Sequence, residues 1–116
     1  MKIKLLKSKI HRATVTEANL DYVGSISVDE HLMKEANLFE FEKVHVLNVT
    51  NGSRLETYVI KSPAHSKEVC INGAAAHLVK KGDLVIVVSY CQVDSNEATA
   101  HNPTIIHVNQ NNEITD

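Results

Sequence analysis

Five short strings of this chain set reactive side chains beside small or turn-forming residues. They are Lys9-Ile10-His11-Arg12, Tyr22-Val23-Gly24-Ser25, Asn48-Val49-Thr50-Asn51-Gly52, Arg54 with Thr57-Tyr58, and Asn72-Gly73-Ala74-Ala75-Ala76-His77. By type, an Arg guanidinium offers a planar fork that binds both oxygens of a carboxylate. A Tyr phenol, with an unperturbed pKa of about 10, stays protonated at neutral pH and has that proton to give. Each string alone also has an ordinary explanation. Strand cations such as Lys9 and Arg54 are usually solvated, Thr57 suits a strand, Tyr58 can pack a hairpin, and Gly-Ser is a common turn. The seven histidines form no His-x-His or His-Glu-x-x-His pair, and Cys70 and Cys91 have no short metal spacing. The pattern therefore predicts no metal site and two cysteines acting as small buried hydrophobes.

The elements that must position these residues are mostly strands. Residues 1–6 alternate Lys with Met, Ile and Leu, a strand with one wet face on which Lys2, Lys4 and Lys7 act as solvated edge cations. Ile10 to Thr16 reads as a second strand, or a continuation after a bend at Ser8. Asp29 can cap a short helix through Asn37, with Val28, Leu32, Met33 and Ala36 on one side. Val44–Val49 and Arg54–Ile60 flank Thr50-Asn51-Gly52-Ser53, which predicts a hairpin with a tight turn at positive φ. Val69–Ile71 is a brief strand. Residues 74–80 form one or two helical turns ending at Gly82, where small side chains at the start leave N–H groups open to an anion. Leu84–Cys91 is a continuous apolar run expected to be buried on both faces. Thr104–Asn109 is a last strand, followed by a polar tail with Asn111, Asn112 and Asp116, expected to be mobile.

The length of 116 residues fits one domain. A hydrophobic content of 43% and a charged content of 22% are those of an ordinary globular protein. The formal net charge of -2 provides no global field for nucleic acid or an anionic membrane, and the few aromatics offer no base-stacking platform. No signal peptide or spanning apolar stretch is recognised, which leads us to expect a cytoplasmic protein with no membrane or nucleic-acid partner.

Taken together, in this order and spacing, the five strings resemble the pyruvoyl-dependent aspartate 1-decarboxylases from about Met1 through Tyr90, whereas the C-terminal quarter adds nothing. The resemblance implies a mainly β, double-psi β-barrel with short helices, in one domain covering residues 1–116. It implies that the peptide bond between Gly24 and Ser25 breaks itself into a β chain, 1–24, and an α chain, 25–116. Ser25 Oγ would attack the Gly24 carbonyl, and Gly24, lacking Cβ, would permit unusual backbone angles. Loss of the Ser25 α-proton would then expel the upstream chain, leaving a dehydroalanine that hydrolyses to a pyruvoyl group. That covalent cofactor, with no metal, would take the substrate amine as a Schiff base and accept the electron pair released with carbon dioxide.

The resemblance also distributes roles. Thr57 resembles the residue supporting the self-cleavage oxyanion, and Tyr58 the donor of a proton to Cα. Arg54 resembles the carboxylate-binding residue, Lys9 a second cation with His11 beside it, and Tyr22 a wall of the pocket. Asn72, Gly73, Ala74 and Ala75 resemble the lining of the substrate site. Some family members carry Trp where this chain has Leu47, to which no role is transferred. Arg54 and Tyr58 share strand parity, yet four residues of strand span about 13 Å. Either the strand bends or the two come from different subunits, and the family's homotetramers with sites between subunits favour the second. The implied function is decarboxylation of L-aspartate to β-alanine for pantothenate and coenzyme A synthesis, with a maturation protein as a candidate further partner. The rivals are a non-processing barrel that binds a small anion or a protein, and a pyruvoyl decarboxylase for another amino acid; glutamate would need a longer pocket.

Overall fold

The computed structural model describes residues 1–115, so Asp116, part of the expected mobile tail, lies outside the described residues. The strands are β1 (Lys2–Thr14), β2 (Glu17–Asn19), β3 (Ser25–Asp29), β4 (Lys43–Asn48), β5 (Arg54–Ser62), β6 (Val69–Asn72), β7 (Leu84–Asp94) and β8 (Thr104–His107). A single turn-and-a-half of α-helix, α1, covers Glu30–Glu35, and 3-10 turns cover Gly73–His77 and Ser95–Ala100. Hydrogen-bonded neighbours run β2-β6-β3-β5-β4-β7-β1-β8.

This order closes on itself. β1 and β2 lie near opposite ends of it, yet only Val15 and Thr16 separate them in the chain. Thr16 N–H donates to the Val69 carbonyl at 2.8 Å, and its hydroxyl accepts from Val69 N–H at 3.0 Å. The continuous β1–β2 ribbon therefore seals a ring with β6, β3, β5, β4 and β7, while β8 lies parallel to β1 beyond it. Inside the ring, β2–β6 and β3–β5 are parallel pairs made by crossings, and the remaining pairs are antiparallel. The fold is a closed, mainly β barrel with short helices, as expected, and the double-psi architecture is the one the resemblance implies.

Alternation along the strands fills the interior. Val44 and Val46 of β4, Val59 of β5, Ile26 and Val28 of β3, Ile10 of β1 and Val85 and Val87 of β7 are fully buried. Each such side chain contributes about 1.5–3 kcal/mol of burial, so these positions are committed to the interior, and β3 and β6 are buried on their other face as well.

Several local expectations need correcting. Of the two readings of Ile10–Thr16, the continuation after a bend holds and the separate strand does not: β1 is one strand, with irregular register between Leu6 and Ser8 and between Ile10 and Ala13. Lys7 is not solvated: its ammonium pairs with Glu42 at 3.1 Å and donates to the Asn37 carbonyl. Asp29 does cap α1, accepting from His31 N–H at 2.8 Å, but the helix stops at Glu35. Asn37, past its end, takes φ of 60°. The 50–53 turn is looser than a tight hairpin: the loop spans residues 49–53, and only Gly52, at φ of 80°, is left-handed there. The turn expected over 74–80 is a 3-10 turn at Gly73–His77. β7 reaches Asp94 and is buried on both faces only near Val87, Val88 and Ser89; Tyr90 is exposed. The tail is anchored at Asn112, which is 2% exposed and bonds Thr14 N–H, the Thr14 carbonyl and the Lys67 carbonyl. β2, β3 and the turn at Ser95–Ala100 have no counterpart in the sequence reading.

Candidate active site

Ser25 opens β3 at 2% exposure, directly after the exposed Gly24. Antiparallel pairing matches Ser25 with Asn72 and Ser27 with Cys70, so these four side chains share one face. The Asn72 amide spends both donors here, on Ser25 Oγ at 3.1 Å and Ser27 Oγ at 2.9 Å. Its Oδ1 accepts from the Cys70 thiol at 3.3 Å. Burial first, then the carboxylates of Glu68 and Glu17, pushes the Cys70 thiol up, so it stays a protonated donor. Above this network opens a cleft of about 470 Å³, walled by Tyr22, Val23, Tyr58, Ile60 and Glu68. That volume is enough for a small amino acid.

β5 supplies the opposite wall. Its parallel register with β3 begins at Ile26 opposite Val59. Carried back two residues, that register brings Thr57 alongside Gly24 and Tyr58 alongside Ser25. Parity separates their side chains: Tyr58 points outward with Arg54 and Glu56, whereas Thr57 is half-buried on the side of Leu55 and Val59. Thr57 accordingly does not line the cleft. Gly73, immediately after Asn72, backs onto Gly24, while Ala74 is exposed and Ala75 half-buried. Gly24 itself is not left-handed, and a Cβ there would meet nothing nearer than the Asn72 carbonyl oxygen at 3.9 Å. The unusual backbone angles expected at Gly24 are found at Gly73 instead.

The Asn48 string turns out to set the turn that follows Asn72. Asn48 Nδ2, Asn51 Nδ2 and Ser53 Oγ all donate to the Leu78 carbonyl, at 3.1, 2.9 and 3.2 Å. These bonds tie the β4–β5 loop to the end of the 73–77 turn.

The cations lie elsewhere. Cross-strand pairs align Lys9, Val88, His45 and Glu56 in one outward row. The next row, Arg54–Leu47–Ile86, ends near His11, which sits in the irregularity after the Ile10–Val87 pair. Arg54 opens onto a second cleft of about 530 Å³ with Lys4, Lys43, His45, Glu56 and Tyr90. None of Lys9, His11 and Arg54 lines the Ser25 cleft. His11 Nδ1 is buried without a hydrogen-bond partner, and its ring meets His107 edge-on at 5.3 Å. Burial, then Lys9, His107 and Arg12, holds the His11 pKa below its ordinary value, so the ring is neutral at pH 7.

Within one chain, then, the structure gathers Ser25, Tyr22, Tyr58 and Asn72, with Gly24 and Gly73 behind them, while Thr57 turns to the other side of β5. It leaves Lys9, His11 and Arg54 on a separate face. Sequence reasoning missed Ser27 and Cys70. The available signal was their two-residue offset from Ser25 and Asn72 on strands, which puts them on the same face.

A family model described as aspartate decarboxylase matches residues 1–115. The chain is 57% identical to the aspartate 1-decarboxylase of Campylobacter fetus subsp. fetus, covering 98% of both chains. It is 55% identical to those of Clostridium botulinum (strain ATCC 19397 / Type A) and Clostridium kluyveri (strain NBRC 12016), covering 98% of this chain and 90% of theirs. A computationally designed protein, msDPBB_sym2, superposes with a TM-score of 0.43 at 21% identity, over 73% of this chain and 96% of that one. Similarity thus continues past Tyr90, where the resemblance read from the sequence stops, through the tail that Asn112 anchors. On its near-complete match to the family model and to these relatives, the chain belongs to the aspartate decarboxylase family.

Proposed function

We propose that this chain decarboxylates L-aspartate at C1 to β-alanine and carbon dioxide, using a pyruvoyl group made from its own Ser25. The observation that carries the reading is Ser25 itself: a buried hydroxyl at the base of an amino-acid-sized cleft, held by Asn72 and faced by Tyr58. These residues fit such a group, because the position is nearly dry, open to substrate on one side and supplied with amide and phenol donors.

Maturation begins when Ser25 Oγ attacks the Gly24 carbonyl carbon and the amide C–N bond gives way to an ester. The Ser25 α-proton then leaves, Gly24 departs as a carboxylate, and water displaces the nitrogen as ammonia. Asn72 holds Oγ during the attack. Thr57, which the β3–β5 register carried back from Ile26–Val59 would set beside Gly24, steadies the carbonyl oxygen as it gains charge.

When formed, the pyruvoyl group supplies an electron sink for the pair released with carbon dioxide. The chain's other residues bind, orient and protonate. Tyr58 delivers the proton to the former α-carbon. Arg54, with Lys9 and the neutral His11 near it, grips the carboxylates. Because these three do not reach the Ser25 cleft of their own chain, a neighbouring subunit presents them, which supports a homotetramer with sites between subunits. β-Alanine produced this way in the cytoplasm would feed pantothenate and coenzyme A synthesis. Among the described residues no helix is long and apolar enough to cross a membrane.

Denaturing mass spectrometry tests the reading. The purified protein should resolve into residues 1–24 and 25–116, the second fragment resisting Edman degradation, and Ser25→Ala should remain one inactive chain. An intact wild-type chain would favour a non-processing, anion-binding barrel; processed protein more active on glutamate than on aspartate would change the substrate.

A further inference from the structure

The scissile pair contains a glycine, but the resting backbone demands one elsewhere. Gly73 takes φ of +73°, and a Cβ built there would lie 2.6 Å from Gly24 Cα, 2.7 Å from Gly24 N and 2.9 Å from the Tyr22 carbonyl oxygen. All three are backbone atoms of the segment that carries the bond to be cut. None can yield as the tip of a flexible side chain would.

We infer that Gly73 is a positioning residue for self-cleavage: its bare Cα is the surface against which residues 22–24 are seated. The inference rests on the proposal that the Gly24–Ser25 bond is the one that breaks. A methyl at 73 would push Gly24 away by about 1 Å to restore ordinary carbon–carbon separation. Ser25 Oγ would not follow, because it belongs to β3, whose pairing with β6 starts at Ser25–Asn72, and Asn72 holds its hydroxyl. The added methyl therefore changes the distance between nucleophile and carbonyl, and not merely the position of both. A displacement of that size costs roughly a hundredfold in a reaction that depends on near-attack geometry.

Two other glycines separate this effect from plain backbone strain. Gly52, at φ of +80°, and Gly82, at φ of +91°, are equally left-handed, but a Cβ on either would meet nothing within 4 Å. Alanine at these positions carries the strain without the collision.

The test follows the cleavage of purified precursor over time by denaturing mass spectrometry in wild type, Gly73→Ala, Gly52→Ala and Gly82→Ala. Circular dichroism and native mass report whether each is folded and assembled. Gly73→Ala should be folded and process about a hundredfold more slowly than wild type. Gly52→Ala and Gly82→Ala should melt at lower temperature and process at the wild-type rate. Gly73→Asn, in a residue type that accepts positive φ but carries a Cβ, should be as slow as Gly73→Ala. Processing of Gly73→Ala within threefold of wild type would overturn the inference, as would equal slowing in Gly52→Ala. Failure of both Gly73 variants to fold would also overturn it, in favour of a purely structural glycine. An uncleaved wild type would instead refute the self-cleavage reading on which the inference stands.

Discussion

The Ser25 cleft and the face bearing Lys9, His11 and Arg54 are built in different ways. In the cleft, Ser25, Ser27 and Asn72 are buried and hold one another through a closed network on paired strands. On the other face, Arg54 is exposed, Lys9 and His11 are half-buried, and His11 keeps a buried nitrogen without a partner in the chain. A buried polar atom left unsatisfied costs about 1–3 kcal/mol, so a face carrying one is incomplete as it stands. The contrast matches the two reactions proposed. Self-cleavage is intramolecular and needs its machinery within one chain. Substrate capture can wait for a neighbour.

Three perturbations would break or sharpen this contrast. Tyr58→Phe should have the largest effect on turnover, because it removes a transferred proton while keeping the ring that packs near Phe41. We expect normal processing into two fragments and a kcat lower by roughly two to four orders of magnitude. Near-normal turnover would pass the proton to another group, and a block in processing would make Tyr58 part of maturation.

Arg54→Ala should come next. Losing one charged hydrogen-bonding partner should lower kcat/KM for aspartate roughly ten- to a hundredfold, with processing untouched because Arg54 is remote from Ser25. Coassembled Arg54→Ala and Tyr58→Phe chains should recover part of the lost activity if one pocket draws on two subunits. Verified mixed tetramers that stay at the level of the separate variants would place the whole pocket in one chain.

The smallest effect concerns His11 and pH. Its folded pKa is depressed, so below the unfolded value of 6.5 the unfolded chain binds the extra proton first. Stability from neutral His11 is therefore present above about pH 6.5, falls as pH drops toward the folded pKa, and levels off beneath it. Replacing His11 by Gln should flatten the melting temperature over that window while leaving cleavage of Gly24–Ser25 at its normal rate. An unchanged pH slope in His11→Gln would assign the titration elsewhere.

How much of this was legible depended on how local the signal was. β4 and β5 announce themselves by alternation and by the Asn51-Gly52 turn between them, since both partners lie within one stretch of chain. β3 has only Ser25-Ile26-Ser27-Val28-Asp29 to show, and its partners β5 and β6 are distant in sequence. Its polar–apolar alternation is a strand signal, but one only five residues long. Asn112 reads as tail for the same reason, because the groups that bind it belong to Thr14 and Lys67. Lys7 reads as a solvated edge cation until Glu42 and the Asn37 carbonyl arrive beside it.

By itself the sequence determined the residue types at the site, the shared parity of Arg54 and Tyr58 on their strand, and the family pattern that links them. Those are properties of side-chain chemistry and of period-two alternation, and both are local. Only the tertiary structure decided that Asn72 reaches Ser25, that Gly73 rather than Gly24 occupies the left-handed, crowded position, and that Arg54 opens onto a different cleft from Tyr58. Each of those depends on register between strands far apart in the chain and on closure of the barrel through Thr16 and Val69. Many-residue pairing of that kind is settled by the burial of the whole core, and no short window of sequence contains it.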